Sequence, residues 1–338
     1  MLAACYEGEG RIVVREVEVR PPEAGEVQLK VGFVGLCGTD LHILEGDMAE
    51  RVSLPAVLGH EMSATVAAVG EGVSAWVPGD EVVVRPLDWC GTCPACIRGF
   101  THICQRLNFI GIDSPGALQE YWNVPARTLL RVPTGLGLRN AALTEPTAVA
   151  LHDVRRSGLK VEEKVLVVGG GPIGMLIASV ATAAGGDVVV SEPNAQRRQL
   201  MERVGLRTVD PSDDVLEVVE EWTKGAGVDV SFEVSGSPGG VEAAVMSLAV
   251  RGRLALVAIY PRPTPVNLFR FFWRELTMVG ARVYEHVDFE GALSLLARGA
   301  IPADALITDV VELQRAPEAF AQLVSGEAMK VLVDCGAS

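Results

Sequence analysis

Cys90, Cys93, Cys96 and Cys104 fall within fifteen residues, separated by two, two and seven positions. Thiolates so spaced suit a tetrahedral metal. Zinc takes four sulfurs at about 2.3 Å in closed structural sites, and a two-residue spacing lets one turn of backbone present successive thiolates to one ion. Gly91, Pro94 and Gly99 interrupt any helix or strand in 89–105, and few apolar residues remain there to bury, so a bound ion would order the segment. A pair of disulfides or a redox switch is the competing use of four clustered thiols. It agrees poorly with an odd count of seven cysteines and a start without a secretory pattern. Both features lead us to expect a cytoplasmic protein, a compartment in which disulfides are rare. His102 lies inside the segment, but four thiolates already fill a tetrahedron.

A second constellation, Gly169-Gly170-Gly171-Pro172-Ile173-Gly174, fits G-x-G-x-x-G with Gly169, Gly171 and Gly174 in the fixed places. The first glycine permits a tight turn, the second lets backbone approach a pyrophosphate, and the third lets a helix pack closely on its strand. A predicted strand, 164–168, runs into the motif, and a predicted helix, 172–184, leaves it with unpaired N–H groups and a positive dipole end facing the phosphates. Eighteen residues after Gly174, Glu192 ends the next strand, where an acid would hold a ribose diol. Gly169, Gly171, Pro172, Ile173, Gly174 and Glu192 are therefore candidate dinucleotide-binding residues. A carboxylate accepts from both ribose hydroxyls of NAD and repels a 2′-phosphate, which favours NAD over NADP. Arg197 is close enough in sequence to reach a phosphate; the alternative is that Arg197 and Arg198 both lie on the exposed side of a helix.

The third constellation is dispersed: Cys37-Gly-Thr39-Asp40-Leu-His42, then Gly59-His60-Glu61, then Glu145-Pro146. A cysteine, a histidine and one or two carboxylates supply an open zinc site with a position left for a substrate oxygen. Spacing alone does not find this site. Taken singly, Cys37 is more often a small buried residue and His60 a satisfied core histidine.

The elements that must hold these groups change character near residue 150. Runs 27–33, 63–69 and 80–85, bounded by Gly, Pro or Asp, are predicted strands of a β-rich domain. From residue 163 strands and helices alternate: strands at 164–168, 187–191, 228–234 and 253–258, and helices at 172–184, 194–204 and 239–248. That rhythm implies βαβ units and a doubly wound parallel sheet, an α/β architecture. The tail from about residue 287 gives helix, strand near 306–310, helix near 316–323 and strand 330–333, and is expected to return to the first domain. A chain of 338 residues fits two domains. No apolar run approaches the eighteen or so residues a membrane span needs. A net charge of −14 without a basic stretch excludes nucleic acid as an expected partner. The aromatic cluster 268–273, ending in Trp273, is read as core or subunit contact, with the substrate cleft as the alternative. Cys5 and Cys335 are expected to be buried, His152 to lie on the helix joining the domains, and His286 on a surface turn.

The order Cys-Gly-Thr-Asp-x-His, Gly-His-Glu, four clustered cysteines, Glu-Pro and Gly-x-Gly-x-x-Gly resembles the zinc-containing medium-chain alcohol dehydrogenases across essentially the whole chain. Cys37-Gly-Thr-Asp-Leu-His42 and Glu145-Pro-Thr-Ala-Val-Ala-Leu-His152 resemble the sorbitol (polyol), butanediol and threonine dehydrogenase branch in particular. The resemblance implies a GroES-like catalytic domain from 1–151 and 287–338, carrying the zinc lobe 89–105, and a Rossmann NAD-binding domain from 152–286, with the active site in the cleft. It implies one catalytic and one structural zinc per chain. Cys37 and His60 would be catalytic ligands, Glu61 a ligand in some states and a neighbour in others. Glu145 would stand where liver-type enzymes have a second cysteine ligand, binding directly or through water. Thr39 would pass the alcohol proton through the cofactor ribose to His42. The implied reaction is reversible oxidation of a small-molecule secondary alcohol, such as a polyol, sugar alcohol or vicinal diol, to its ketone with NAD, in a homodimer or homotetramer. A threonine-like β-hydroxy substrate, or a catalytically silent dinucleotide-binding protein, are the alternatives.

Overall fold

The computed structural model describes residues 1–260, 262–326 and 328–336. Its chain divides into two compact units, Met1–Glu145 with Glu285–Arg298 and Ile307–Ser338, and Pro146–Tyr284 with Gly299–Leu306.

The first unit is built on a seven-stranded sheet whose path runs Leu129–Arg131, Glu81–Val84, Glu61–Val69, Glu26–Gly35, Lys330–Asp334, Ile307–Glu312, with Tyr121–Pro125 also paired to Glu26–Gly35. The strand Glu26–Gly35 forms because Val27, Leu29 and Val31 alternate with polar neighbours, and all three are buried while Lys30 is exposed. The C-terminal strand lies antiparallel beside it, with Leu332 opposite Gly35, so residues some three hundred positions apart become neighbours. On the other side Gly35 pairs with Glu61. A smaller sheet joins Ile12–Glu16, Leu2–Tyr6 and Ala56–Val57.

The second unit holds a six-stranded, wholly parallel sheet in the order Arg207–Val209, Asp187–Ser191, Lys164–Val168, Val228–Glu233, Leu248–Leu256, Thr277–Gly280. Val165–Val168 and Val188–Val190 are buried, as continuous apolar strands covered on both faces must be. The chain order reverses between the strands Lys164–Val168 and Val228–Glu233, the topological switch point at whose carboxyl edge ligands bind in such sheets.

Three local expectations are corrected. The helix predicted for 239–248 is Pro238–Met246, and Leu248 already opens a strand that runs to Leu256. Of the two readings of 268–273 as core or subunit contact, the core one is overturned: the cluster lies on the helix Leu268–Arg274, which buries no residue and leaves Phe272 78% and Trp273 69% exposed. A seven-residue helix that is apolar on nearly every side cannot bury all its faces against one neighbour. His286 is the first residue of the helix His286–Ala297 rather than part of a turn, and it is exposed. Cys5 and Cys335 are buried, and His152 lies within the helix Thr144–Ser157. Among the described residues, no helix is long and apolar enough to cross a membrane.

Candidate active site and metal centres

Both metal clusters expected from the sequence belong to the first unit. In the cysteine lobe, Cys93 caps the short helix Pro94–Ile97, Cys96 lies on that helix, and Cys104 follows the single turn Thr101–Ile103. The four sulfurs lie within 4.8 Å of one another. Cys90 Sγ and Cys93 Sγ are 3.5 and 3.8 Å from Cys104 Sγ. A tetrahedron with bonds of about 2.3 Å has edges of roughly 3.8 Å, so the donor set fits a tetrahedral ion; a disulfide would need sulfurs about 2.05 Å apart. Backbone N–H groups aim at the sulfurs as they would at thiolates: Gln105 donates to Cys93 Sγ at 3.5 Å and Arg106 to Cys104 Sγ at 3.3 Å. The Arg106 guanidinium reaches Cys90 Sγ at 3.5 Å. Backbone hydrogen bonding, first from Thr92, pulls the Cys90 thiol down to about 5, whereas burial pushes Cys96 up to about 12. The lobe has little other core: its buried cluster is Cys93, Cys96 and Cys104, while Ile97, Phe100 and Ile103 are exposed. His102 is outside the four-sulfur cluster and stands edge-on to Phe100.

The second cluster gathers Cys37, His60 and Glu61, whose donor atoms also lie within 4.8 Å of one another. Cys37 sits at the N-cap of the helix Gly38–Glu45, and its N–H donates to Asp40 Oδ2 at 2.9 Å. His60 follows Gly59, whose φ of 103° lies in the left-handed region, and Phe109 packs edge-on against the imidazole at 5.3 Å. His60 Nδ1 lies 3.7 Å from Asp40 Oδ1; both atoms are buried and have no hydrogen-bond partner. An imidazole whose Nδ1 faces an acid keeps its other nitrogen for a metal, the carboxylate–histidine arrangement that orients ligating histidines. Burial alone would push His60 down, but the negative charge of Asp40, with Cys37 and Glu145, outweighs it and raises the imidazole to about 10. A site where a cysteine sulfur, an imidazole and a glutamate side chain converge offers the donor types a divalent zinc ion takes.

Glu61 is fully buried and hydrogen-bonded by Lys330 Nζ, at 2.6 Å to Oε2 and 2.9 Å to Oε1. Glu145, in the first turn of Thr144–Ser157, acts electrostatically on His60 but is not among the three clustered donors. Thr39 Oγ1 lies 3.7 Å from Cys37 Sγ, and half-buried His42 presents Nδ1 to Asp47 at 3.5 Å. Sequence reasoning assigned no role in the site to Asp40 or Lys330. Asp40 carried a local signal, the acid three residues after Cys37 that closes a capping box. Lys330 stands at the start of an otherwise apolar strand, in a run Ser325-Gly-x-x-x-Lys330 that resembles threonine dehydrogenases.

In the second unit the strand Lys164–Val168 enters Gly169, with φ 103°, and Gly171 is the N-cap of the helix Pro172–Ala183. A Cβ on Gly169 would stand 2.8 Å from Ser235 N, and one on Gly174 would fall on the Gly169 carbonyl. A Cβ on Gly171 would meet nothing nearer than the Arg197 guanidinium at 3.7 Å. The first and third glycines are thus required by the protein itself, and the second faces open space, with Pro172 and Ile173 beginning the helix beside it. Glu192 is buried, accepting from Gly170 N at 2.7 Å and Asn194 N at 2.8 Å. Arg198 is not a solvated surface residue: it donates to the carbonyls of Glu192 and Pro193 at 2.7 and 2.8 Å and pairs with Asp210.

Residues 23–134 match the family described as alcohol dehydrogenase GroES-like domain, and residues 172–298 the family described as zinc-binding dehydrogenase. Over its whole length the chain is 49% identical to 2-dehydro-3-deoxy-L-galactonate 5-dehydrogenase of Pseudoalteromonas atlantica, covering 99% of that protein. It is 32% identical to sorbitol dehydrogenase of Halalkalibacterium halodurans, over 98% of each chain. The crystal structure of 2R,3R-butanediol dehydrogenase from Bacillus subtilis superposes with a TM-score of 0.91 at 34% identity, over 98% of this chain and 99% of that one. The chain belongs to the zinc-type medium-chain alcohol dehydrogenase superfamily. It is an oxidoreductase acting on alcohols, of a family that uses zinc and a nicotinamide cofactor.

Proposed function

We propose that this chain oxidises a secondary alcohol of a polyol or sugar acid to the ketone, reversibly, with NAD as hydride acceptor. The convergence of Cys37, His60 and Glu61 in a buried, anionic setting carries the reading. Cys37 and His60 would be the constant ligands of a catalytic zinc, with Glu61 the third donor in reach and Glu145 adding negative charge, and Cys90, Cys93, Cys96 and Cys104 would hold a structural zinc. A zinc held there would supply electrophilic activation of the hydroxyl, and a nicotinamide cofactor would supply the hydride acceptor. Asp40 orients His60. Thr39, beside Cys37, would accept the hydroxyl proton, and the cofactor ribose would link it to His42, three residues on along the same helix, as the proton's exit.

NAD is preferred because the buried Glu192 carboxylate stands at the end of its strand, where a 2′-phosphate would meet like charge. Arg197, beside the open Gly171 position, supplies charge for the pyrophosphate. A sugar acid is favoured by the relative named for a 2-dehydro-3-deoxy-galactonate and a polyol by the one named for sorbitol. The protein acts as a homo-oligomer in which a second copy covers the exposed Leu268, Phe269, Phe272 and Trp273 beside the edge strand Thr277–Gly280.

The test is a panel of 2-keto-3-deoxy sugar acids, polyols, vicinal diols and L-threonine with NAD and with NADP, following absorbance of the reduced cofactor with and without chelator. Chelator-sensitive reduction of NAD by a sugar acid or polyol is expected. Turnover indifferent to chelation, or confined to L-threonine, would overturn the reading, and a Glu192→Ala enzyme with unchanged cofactor preference would remove the argument for NAD.

A further inference from the structure

Glu233 is the last residue of the strand Val228–Glu233 and is fully buried, yet no ion pair to it forms among the described residues. Neutral groups surround it. Ser235 N and Gly236 N donate to Oε1 at 2.9 and 3.2 Å, Ser235 Oγ donates to the same oxygen, and the Tyr260 hydroxyl donates to Oε2. Burial, and then the hydrogen bond to Glu233, push the Tyr260 phenol up, which keeps it a neutral donor. The first turn of the helix Pro238–Met246 faces the carboxylate as well: a Cβ on Gly240 would stand 2.8 Å from Oε1. Amide dipoles and a helix N-terminus hold an anion with partial charges; they leave its net charge uncancelled.

Glu233 also stands at the place where the sheet reverses. Val168, the residue before Gly169, pairs with it, and a Cβ on Gly169 would stand 2.8 Å from Ser235 N, so the turn that Glu233 holds closes directly on the glycine turn. Glu192 follows the strand Asp187–Ser191, on the other side of Lys164–Val168. A dinucleotide lies across such a crevice with one mononucleotide over each half of the sheet. With the adenosine ribose on the Glu192 side and the pyrophosphate at the glycine turn, the nicotinamide falls on the Glu233 side. Its oxidised ring is a cation and its reduced ring is neutral, since the alcohol carbon gives up a hydrogen with its electron pair while the hydroxyl proton leaves separately. We propose that Glu233 selects between the two oxidation states of the cofactor, its charge tightening the oxidised form relative to the reduced one. The proposal rests on the NAD reading of the second unit given above.

Glu233→Gln keeps the shape and an acceptor oxygen for Ser235 and Gly236 and removes the charge. Fluorescence titration of the zinc-loaded enzyme without substrate reads NADH binding, and displacement of NADH reads NAD and ADP-ribose. The ratio of the NAD to the NADH dissociation constant should rise about tenfold, the scale of one unit charge acting across a partly buried site. The pyrophosphate is common to all three ligands, so a change in the shape of the turn, or in repulsion of the phosphates, moves them together and cancels in the ratio. Tyr260→Lys, at a half-buried position, lays a cation on the same carboxylate and should raise the ratio in the same direction, which decides the matter if Glu233→Gln does not fold. Glu233→Asp keeps the charge on a shorter side chain and should weaken both forms together, with the ratio near that of the parent. An unchanged ratio in either neutralised variant, or a ratio that moves as far in Glu233→Asp as in Glu233→Gln, would overturn the proposal and leave Glu233 a support for its turn. A parent that binds none of the three ligands would overturn the NAD reading itself, so the two failures are distinguishable.

Discussion

Substituting alanine at Gly174 and at Gly171 should separate a glycine the fold needs from one the ligand needs. At Gly174 the new methyl falls on the Gly169 carbonyl, with the carbonyl carbon at 2.9 Å and the oxygen closer still. Carbon–carbon contacts are comfortable at about 3.5–4.0 Å, and the carbonyl oxygen is far inside any non-bonded contact, so helix and turn must separate by more than about 1 Å. Overpacking that moves backbone costs about 1–3 kcal/mol, and at about 2–4 °C per kcal/mol for a domain of this class the melting temperature should fall by roughly 2–12 °C. At Gly171 the methyl meets only Arg197 at 3.7 Å, an ordinary contact. The fold should therefore change by no more than about 0.5 kcal/mol, most of it from the poorer N-cap. The methyl does stand where a pyrophosphate must approach the backbone. A loss of about 1.4 kcal/mol of binding is a tenfold change, so the KM for NAD should rise tenfold or more, with kcat at saturating cofactor unchanged. Calorimetry reads the first effect, and cofactor fluorescence titration with steady-state kinetics reads the second. A Gly171→Ala enzyme that binds NAD like the parent would refute the assignment of this turn to the pyrophosphate, and a Gly174→Ala enzyme as stable as the parent would refute the packing argument.

Asp40→Ala should weaken zinc at the Cys37–His60 cluster by about 10–100-fold, because it removes the acid that orients His60; chelator competition measures this, and unaltered affinity would assign Asp40 to helix capping alone. Cys93→Ser should reduce metal content from two ions per chain to one and expose the lobe to limited proteolysis, since structural zinc contributes about 10–16 kcal/mol to such segments. Retention of two ions would count against the four-cysteine site. Thr39→Val keeps shape and removes the hydroxyl, and kcat at neutral pH should fall by about 10²–10⁴-fold; parent-like turnover would end the relay assignment. Burial would raise Asp187, but Lys164 and Arg207 hold it below the ordinary 3.8. Its contribution to stability is therefore present above that value and lost as pH falls through the depressed one. Asp187→Asn should melt below the parent at neutral pH, with the gap closing in strong acid; a gap independent of pH would show that charge is not the cause.

What the sequence revealed divides by distance along the chain. The cysteine lobe and the glycine turn are local: their spacing sets which atoms can meet, and the sulfur tetrahedron and the crowding of Gly174 against Gly169 follow from short stretches of backbone. The parallel sheet was legible for a similar reason, because strands covered on both faces must be apolar throughout, as 165–168 and 188–190 are. Composition left 268–273 open between core and subunit contact; the structure rules out the core, because apolar residues on a short helix exceed what one neighbouring surface can cover. The environment of Arg198 was also hidden, since its partners, the carbonyls of Glu192 and Pro193 and the acid Asp210, are defined by a turn and not by a motif.

The catalytic cluster was legible as a list of residue types and illegible as an arrangement. Cys37 and His60 are twenty-three residues apart, and nothing in that interval dictates that Asp40 must face the imidazole. Lys330 is the extreme case, 269 residues from the carboxylate it holds. A lysine and a glutamate that far apart specify no contact until the C-terminal strand takes its place beside Glu26–Gly35. Even then the register decides: a slip of one residue would turn every side chain of that strand to the opposite face and leave Glu61 a buried charge without a counter-ion. The cost of that unpaired charge, about 3–5 kcal/mol when one partner of a buried pair is lost, is a substantial part of an ordinary folding free energy. The Glu61–Lys330 pair thus penalises misregistered pairing of the two chain ends while it arranges the ligands, which is why a group invisible to local sequence reasoning stands at the centre of the site.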